Sequence, residues 1–361
     1  MFLTFIYQQE RLVEVIKYLS SINEIYLDTE TGLGKEGSRQ IKLLQVGDEK
    51  HQFVIDCEAV DVSSLKKFIE GSKLKIGHNL KFDAKILKYN YNWELNNIYD
   101  TMIVEQLLHC GLSTPKGFYS LEQCCVRYSG INPYSDQLSL FDPFIPKKIR
   151  MKADTTPEFI FYAATDLIST YRVYTAQQLL IKNRKMEKLV KLECEYTLVL
   201  ADMEYVGFPI SSPRWTYLDR WINRKLDTKL TELNSLHPEI ANWNSSPQVG
   251  KLFKELGMNI TIKDKKKTIK LKKDVFKDSV QEIVISKFIK EYPIVGTYLD
   301  YKKFKKLAST YGVSFLKNVD PITNRIHSSY WQILNTGRIS SSSPNMQNII
   351  SESETFPEGK Q

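Results

Sequence analysis

The chain has 361 residues, 42% of them hydrophobic and 25% charged, with a formal net charge of +8. This composition is typical of a folded globular protein with two or three domains, and it excludes an intrinsically disordered chain. No apolar run approaches the ~20 residues that a membrane-spanning helix needs, and the 5 cysteines form no Cys-x-x-Cys pair, so we expect no membrane contact, disulfide framework or structural zinc site.

Strand-like and helix-like patterns alternate over the first 110 residues. Runs with strand character end near Ile6, Glu30, Val46, Asp56 and Gly77, and helical patterns cover about 9–20, 63–71 and 80–90. This alternation predicts an α/β fold with a mixed sheet.

Two acidic residues lie at the end of the second predicted strand, in the run Ile25-Tyr26-Leu27-Asp28-Thr29-Glu30-Thr31. Successive side chains of a strand point to opposite faces, so Asp28 and Glu30 are expected on the same face. An Asp-x-Glu triplet occurs about once by chance in a chain of this size, and by itself it also fits a solvated strand end. Its meaning depends on acidic residues further along the chain.

Two later segments supply further candidate residues. The run Asn79-Leu80-Lys81-Phe82-Asp83 follows a predicted strand and places Asp83 near the start of a helical pattern. The run Tyr162-Ala163-Ala164-Thr165-Asp166 lies in a helix that begins at Thr156-Pro157, with the proline in the first turn. Residues four apart on a helix are neighbours, so Tyr162 and Asp166 share a face.

If these carboxylates converge in the fold, they form a candidate metal site together with the phenol of Tyr162. Like charges so close together are not all ionised without a compensating cation. Oxygen ligands favour Mg²⁺ or Mn²⁺, and a pair of such ions suits in-line attack on a phosphodiester.

From about residue 186 the pattern changes to long helices. Apolar residues at helical spacing over 186–206 stop at Gly207-Phe208-Pro209, which is typical of a helix end. Over 279–309 the sequence predicts one or two more helices, with a bend or break at Pro293.

Charge is distributed unevenly along the chain. Basic and acidic residues nearly balance over 1–185, whereas nearly all of the net charge of +8 comes from 186–361. The lysine runs at 263–273 and 302–306 hold much of this excess, and beside a nuclease-like motif set they predict contacts to a phosphate backbone. A lysine run taken alone also suits a solvated face.

The acidic motifs resemble those of the 3′–5′ exonuclease of the DEDD class, tyrosine subtype, as found in proofreading family A DNA polymerases. Leu27–Thr31 resembles the first motif of that family, Gly77–Asp83 the second and Tyr162–Asp166 the third. Asp100-Thr101-Met102 also falls where the family has similar residues. The resemblance implies a ribonuclease-H-like exonuclease core with a mixed β-sheet over residues 1–185.

The second half of the chain continues the resemblance. Leu200–Gly207 is similar to the segment that enters the polymerase thumb, Tyr301–Tyr311 to the long thumb helix, and Arg325–Ile349 to the first palm segment. This implies a mainly helical, thumb-like DNA-binding region over 186–320 and the beginning of a polymerase palm over 321–361. The catalytic palm aspartates and the fingers helix have no counterpart here, so we expect this polypeptide alone not to extend a primer. A second polypeptide carrying the remaining palm and fingers is the partner we expect.

The resemblance also assigns a role to each acidic residue. Asp28, Glu30 and Asp166 would bind the first of two divalent ions, Mg²⁺ or Mn²⁺, with Asp28 bridging to the second. Asp83 would hold the second ion, largely through water, and Tyr162 would orient the attacking water.

We expect DNA to contact two further groups of residues. The single-stranded 3′ end is expected to contact Thr29, Leu33 and Asn79, with Leu33 as a wedge against the terminal bases. The primer–template duplex is expected to contact Arg338, Asn345 and Gln347 through its minor groove, where acceptors shared by all base pairs are read without sequence preference.

Three functions remain open on this sequence. The first is a metal-dependent 3′–5′ DNA exonuclease that proofreads during DNA replication and releases deoxynucleoside monophosphates, and the intact acidic set favours it. The second is a non-catalytic subunit that binds duplex DNA and completes a polymerase with a partner chain. The third is an RNA exonuclease of the ribonuclease D type, against which the thumb-like region and the 336–349 segment speak. We expect a cytoplasmic protein of a bacterial cell or a phage-infected host.

Overall fold

The computed structural model describes residues 2–32, 39–130, 132, 156–264, 275–334 and 336–349. The chain divides into two compact units. The first contains the described residues up to Gly207 together with His327–Asn348, and the second contains Phe208–Ile326. The regions inferred from the sequence end instead at residues 185 and 320, and as functional regions they remain predictions.

A six-stranded mixed sheet forms the centre of the first unit, in the order β1-β4-β3-β2-β5-β6. The strands are β1 (Phe2–Ile6), β2 (Glu24–Thr31), β3 (Ile41–Gly47), β4 (His51–Asp56), β5 (Leu74–Gly77) and β6 (Ile98–Asp100). Strand β3 is antiparallel to both of its neighbours, and the other three pairings are parallel. The predicted α/β fold with a mixed sheet is confirmed. The sequence analysis missed β6, because three residues are too few to show an alternating pattern.

Seven helices are described around this sheet. They are α1 (Leu12–Ser21), α2 (Lys66–Ile69), α3 (Leu80–Tyr91), α4 (Thr101–Leu108), α5 (Leu121–Ser129), α6 (Pro157–Arg184) and α7 (Glu187–Val206). Helix α6 begins where the sequence predicts, because the hydroxyl of Thr156 accepts a hydrogen bond from the amide of Phe159 at 3.3 Å. Helix α7 ends at Gly207, whose φ of +65° suits a residue without a side chain.

Helix α6 covers the face of β2 that carries the acidic residues. Tyr26 is buried there, with the rings of Tyr171 and Tyr174 from α6 packed edge-on against it. Nearly two turns from the start of α6, Ala163 packs against Leu43 of β3. Side chains two apart on β2 share a face, so Asp28 and Glu30 lie in the same layer as Tyr26, between the sheet and α6.

Glu204 of α7 joins the segment after residue 326 to the first unit. Its carboxylate is buried and forms ion pairs with Lys81, at 2.7 Å, and Lys85 of α3. The same carboxylate accepts the backbone amide of Tyr330 at 2.7 Å, in strand β11 (Ser329–Trp331), which pairs with β12 (Ser340–Ser342). Burial would raise the pKa of Glu204, but the two lysines outweigh this and hold the pKa below its ordinary value.

The second unit is mainly helical. Its elements are β7 (Phe208–Pro209), α8 (Ser212–Leu236), α9 (Ser246–Glu255), β8 (Thr261–Lys263), β9 (Phe276–Asp278), α10 (Glu282–Ile285), α11 (Pro293–Tyr311) and β10 (Arg325–Ile326). Helices α8 and α11 pack side by side, with Trp221 edge-on to Phe304 and Trp215 edge-on to Tyr311. The break predicted at Pro293 is confirmed, since α11 begins at this residue. None of the described helices is both long and apolar enough to cross a lipid bilayer.

Replacing Glu204 with alanine leaves Lys81 and Lys85 without their shared counter-charge and removes the acceptor of the Tyr330 amide. We expect Glu204→Ala to lower the free energy of unfolding by about 2 kcal/mol or more, because removing one partner of a buried ion pair is costly. Urea denaturation near neutral pH measures the change. Asp202→Ala removes an exposed acid from the same helix and should cost less than about 1 kcal/mol. Equal effects of the two substitutions would contradict a structural role for Glu204.

Candidate active site

The structure brings together three of the predicted metal ligands. A carboxylate oxygen from each of Asp28, Glu30 and Asp166 lies within 4.8 Å of the other two. Asp28 and Glu30 are half-buried on β2, and Asp166 is buried on α6. The alternation of β2 turns the first two toward α6, and α6 supplies the third from across the layer.

Asp83 is near enough to Asp28 to raise its pKa, and it is held by a separate contact. It is almost fully buried on the first turn of α3, and its Oδ1 accepts a hydrogen bond from the hydroxyl of Thr29 at 2.6 Å. Thr29 stands between Asp28 and Glu30, so its side chain points to the opposite face of β2. The Thr29 hydroxyl therefore fixes Asp83 relative to the strand that carries the other two acids.

Crowding and burial change the acidity of these groups. Burial raises the pKa of Asp28 well above its ordinary value, and the charges of Asp83, Asp166 and Glu30 raise it further. Burial also raises the pKa of Asp83 to about 7, although the hydrogen bond from Thr29 acts in the opposite direction. A divalent cation among these oxygens would reverse the shifts by favouring the ionised forms. The donor set therefore fits Mg²⁺ or Mn²⁺, which prefer oxygen ligands.

The turn between β5 and α3 positions Asp83. A Cβ on Gly77 would lie 2.8 Å from the backbone oxygen of Leu27, so only glycine allows β5 to approach β2 this closely. Asn79 then adopts a φ of +65° before the helix begins. The buried carboxylate of Asp100 accepts the backbone amides of Asn79 at 2.9 Å and Leu80 at 2.8 Å.

Asp100 also caps the next helix. Its Oδ1 accepts the backbone amides of Met102 at 2.9 Å and Ile103 at 3.3 Å, at the start of α4. Burial raises the pKa of Asp100 to about 6, against the effect of these amide donors. One carboxylate thus joins the beginnings of α3 and α4.

The contacts of His78 are those of a structural residue and not those of a general base. Its Nε2 donates to the backbone carbonyl of Tyr119 at 2.9 Å, and its Nδ1 lies 2.9 Å from the hydroxyl oxygen of Thr101. Burial lowers the pKa of His78 to about 4, so the imidazole is neutral near pH 7. Both ring nitrogens are already engaged by these contacts.

A buried acid on α4 braces the helix that carries Tyr162 and Asp166. Glu105 accepts hydrogen bonds from Arg127 at 2.8 Å and Tyr128 at 2.7 Å, both on α5, and from Gln177 of α6 at 2.9 Å. Tyr162 itself lies one turn before Asp166, half-buried against the apolar cluster that includes Leu43 and Val54. The roles predicted for Tyr162 and for the acids remain predictions.

The predicted DNA contacts fall in separate places. Asn79 lies at the start of α3, and the side chain of Thr29 is engaged with Asp83. Arg338, Asn345 and Gln347 lie in the segment around β12, where Gln347 accepts the backbone amide of Ser341 at 3.1 Å. The wedge residue Leu33 and residues 265–273 of the first lysine run lie outside the described residues.

Sequence reasoning missed the acids that build the scaffold. Glu204 falls on the buried face of α7, three or four residues from Ala201 and Leu200, which are buried too. Glu105 similarly lies among the buried residues of α4. An acid on an otherwise apolar helix face is the signal that would have identified both, because charged groups are almost never fully buried unless they are paired.

Comparisons with known proteins agree with this arrangement. Residues 3–182 match the family model described as 3′-5′ exonuclease, and residues 216–360 match the model of DNA polymerase family A. The POL domain of Pol1 from M. smegmatis, solved in complex with a DNA primer-template and dNTP, has a similar fold. Its TM-score is 0.73 at 18% identity, over 98% of this chain and 57% of that chain.

Curated relatives point to the same class. The DNA polymerase I of Borreliella burgdorferi is 26% identical over 94% of this chain, that of Aquifex aeolicus 27% over 94%, and that of Synechocystis 31% over 76%. The aligned regions cover 36%, 57% and 27% of those three proteins, respectively. The two family models together match most of the chain. The chain carries a 3′–5′ exonuclease domain and is therefore an enzyme of the nuclease class. The chain belongs to DNA polymerase family A.

Proposed function

We propose that this chain is a 3′–5′ exonuclease that depends on Mg²⁺ or Mn²⁺ and removes deoxynucleoside monophosphates from the 3′ end of DNA. The observation that carries the proposal is the convergence of Asp28, Glu30 and Asp166, whose carboxylate oxygens lie within 4.8 Å of one another. Proofreading during DNA replication is the process in which such an activity serves a family A polymerase.

We assign a separate role to each residue of the site. Asp28, Glu30 and Asp166 bind one ion, while Asp83, beside them, completes the site for a second. The ions, when bound, would supply a nucleophile at neutral pH and stabilise the leaving 3′ oxygen. The hydroxyl of Tyr162, one helical turn from Asp166, orients the attacking water.

DNA is the substrate that the rest of the chain supports. Lys302, Lys303, Lys305 and Lys306 are exposed on α11, where they suit contacts to phosphate groups. In the second unit and the segment around β12, the match to the DNA polymerase family A model favours DNA over RNA. The ribonuclease D type of function has no comparable support.

The proposed nuclease activity is compatible with binding to a partner polypeptide. A second chain carrying the remaining palm and fingers stays a prediction of the sequence, as do the duplex contacts of Arg338, Asn345 and Gln347. The same duplex-binding surface would serve a polymerase assembled with such a partner, so nuclease activity and partner binding are compatible.

Removing a ligand of the ions should abolish cleavage while the fold is kept. Groups that merely orient a metal ligand are worth about 10–100-fold, so we expect Asp28→Asn and Asp166→Asn each to lower the single-turnover rate by more than about 100-fold. The assay follows a 3′-terminal nucleotide released from single-stranded DNA in Mg²⁺, with EDTA as the metal-free reference. Glu24→Gln changes an exposed acid on the same face of β2 and should leave the rate unchanged. Wild-type rates in both aspartate variants would refute the proposed function.

Tyr162→Phe removes only the hydroxyl that orients the water. Positioned groups of this kind are worth about 10²–10⁴-fold, and we expect a decrease near the lower end, with Mn²⁺ affinity unchanged. Single-turnover kinetics and a Mn²⁺ titration separate the two effects. Tyr171→Phe, on the same helix against Tyr26, is the matched control. An unchanged rate in Tyr162→Phe would show that the Tyr162 hydroxyl takes no part in the reaction.

Exposed lysines of α11 should contribute to duplex affinity. Each phosphate contact adds roughly 0.9 to the slope of log affinity against log salt, so replacing Lys302, Lys303, Lys305 and Lys306 with alanine should flatten that slope. Cleavage of a dinucleotide, which offers too few phosphates to bind the α11 lysines as well, should not change. A control with the same loss of charge replaces Lys17, Lys50, Lys67 and Lys182, which are exposed in the first unit. Identical slopes for the two variants would make the α11 lysines an ordinary solvated face.

A further inference from the structure

Gln45 of β3 is a buried amide without a hydrogen-bond partner among the described residues. Its side chain is fully buried, and neither Nε2 nor Oε1 has a donor or acceptor within reach there. Buried side-chain amides in native proteins nearly always have at least one partner, often an ordered water. An amide left unpaired in the interior is destabilising, so an apolar residue would fit this position at lower cost.

The position of Gln45 in the sheet connects it to the site. In the antiparallel pairing of β2 with β3, Gln45 is directly opposite Asp28. Residues opposite each other in such a pair point to the same face, with Cβ atoms about 4.5–5.5 Å apart. The amide of Gln45 therefore lies in the layer between the sheet and α6, next to Asp28.

Two strand neighbours of Gln45 on this face are apolar. Val54 of β4 lies opposite it on the other side, and Leu43 lies two residues before it on the same strand. Both are buried against Phe159, Ala163 and Ala164 of α6. Of the two residues directly opposite Gln45 on the neighbouring strands, only Asp28 carries a hydrogen-bonding side chain.

We propose that Gln45 is a positioning residue, whose Nε2–H group donates to the Asp28 carboxylate, directly or through one ordered water, when the site holds its ions. The donor fixes the orientation of a carboxylate that would otherwise turn away from its crowded acidic neighbours. This inference rests on the proposed function, because it assigns Gln45 to the ion site described there. Residues that orient a metal ligand in this way are typically worth 10- to 100-fold in metal affinity.

A second buried glutamine provides a matched control. Gln52 of β4 is fully buried too, and its Oε1 has no partner among the described residues. Its Nε2, however, donates to the backbone carbonyl of Asp48 at 2.7 Å, and it is opposite Gly47 rather than an acid. Replacing Gln52 therefore tests the loss of a buried amide away from Asp28.

The test compares Gln45→Met with Gln52→Met, since methionine keeps the shape of glutamine and removes its amide. Mn²⁺ affinity is measured by calorimetric titration, and thermal unfolding is measured in EDTA. We expect Gln45→Met to unfold in EDTA no lower than the wild type and to bind Mn²⁺ about 10–100-fold more weakly. Gln52→Met should bind Mn²⁺ like the wild type. Wild-type Mn²⁺ affinity in Gln45→Met would overturn the proposal.

If Gln45→Met does not fold, a measurement on the unsubstituted protein tests the proposal instead. The side-chain amide protons of Gln45 should shift in the NMR spectrum and exchange more slowly when Mg²⁺ is added. Signals of Gln45 that Mg²⁺ leaves unchanged would overturn the proposal without any substitution. A wild type that neither binds Mn²⁺ nor cleaves DNA would instead refute the proposed function, so the two failures are distinguishable.

Discussion

The carboxylate oxygens of Asp28, Glu30 and Asp166 lie within 4.8 Å of one another, and Asp83 lies beside them. Two ionised groups at this distance repel by about 3 kcal/mol at an effective dielectric constant of about 20. Burial raises the pKa of Asp28 most, and the repulsion from each further acid raises it more. A flexible chain would separate these groups. The elements that carry them must therefore be fixed by interactions that do not involve the acids themselves.

Three elements carry the acids, and each is anchored separately. Strand β2 lies inside the sheet, paired on both sides. Helix α3 is held at its start by the carboxylate of Asp100, which accepts four backbone amides from two helices. Helix α6 is braced by the network of Glu105. The carboxylates of Asp100 and Glu105 differ from those of the site because each accepts several of the described hydrogen bonds.

Glu204 extends the same principle to the part of the chain after the second unit. The polypeptide leaves the first unit at Gly207 and returns to it at His327. On its return, β11 is held by the Tyr330 amide bonded to Glu204, and Gln332 donates to the backbone carbonyl of Glu193 at 2.9 Å. The segment with Arg338, Asn345 and Gln347 therefore belongs structurally to the exonuclease-bearing unit, although the second unit precedes it in the sequence.

Local patterns in the sequence were sufficient to place the candidate site residues on their strands and helices. The two-residue spacing of Asp28 and Glu30 sets their shared face, and the four-residue spacing of Tyr162 and Asp166 sets theirs, because these periods are properties of strands and helices themselves. Thr156-Pro157 and Gly207 mark helix ends for equally local reasons. Only the tertiary structure decided that Thr29 holds Asp83, that Asp100 and Glu204 anchor their neighbours, and that Gln45 is opposite Asp28. Such contacts depend on which strands pair and which helices cover them. The periodicity of a sequence specifies which face of an element is buried, but it does not specify which other element packs against that face.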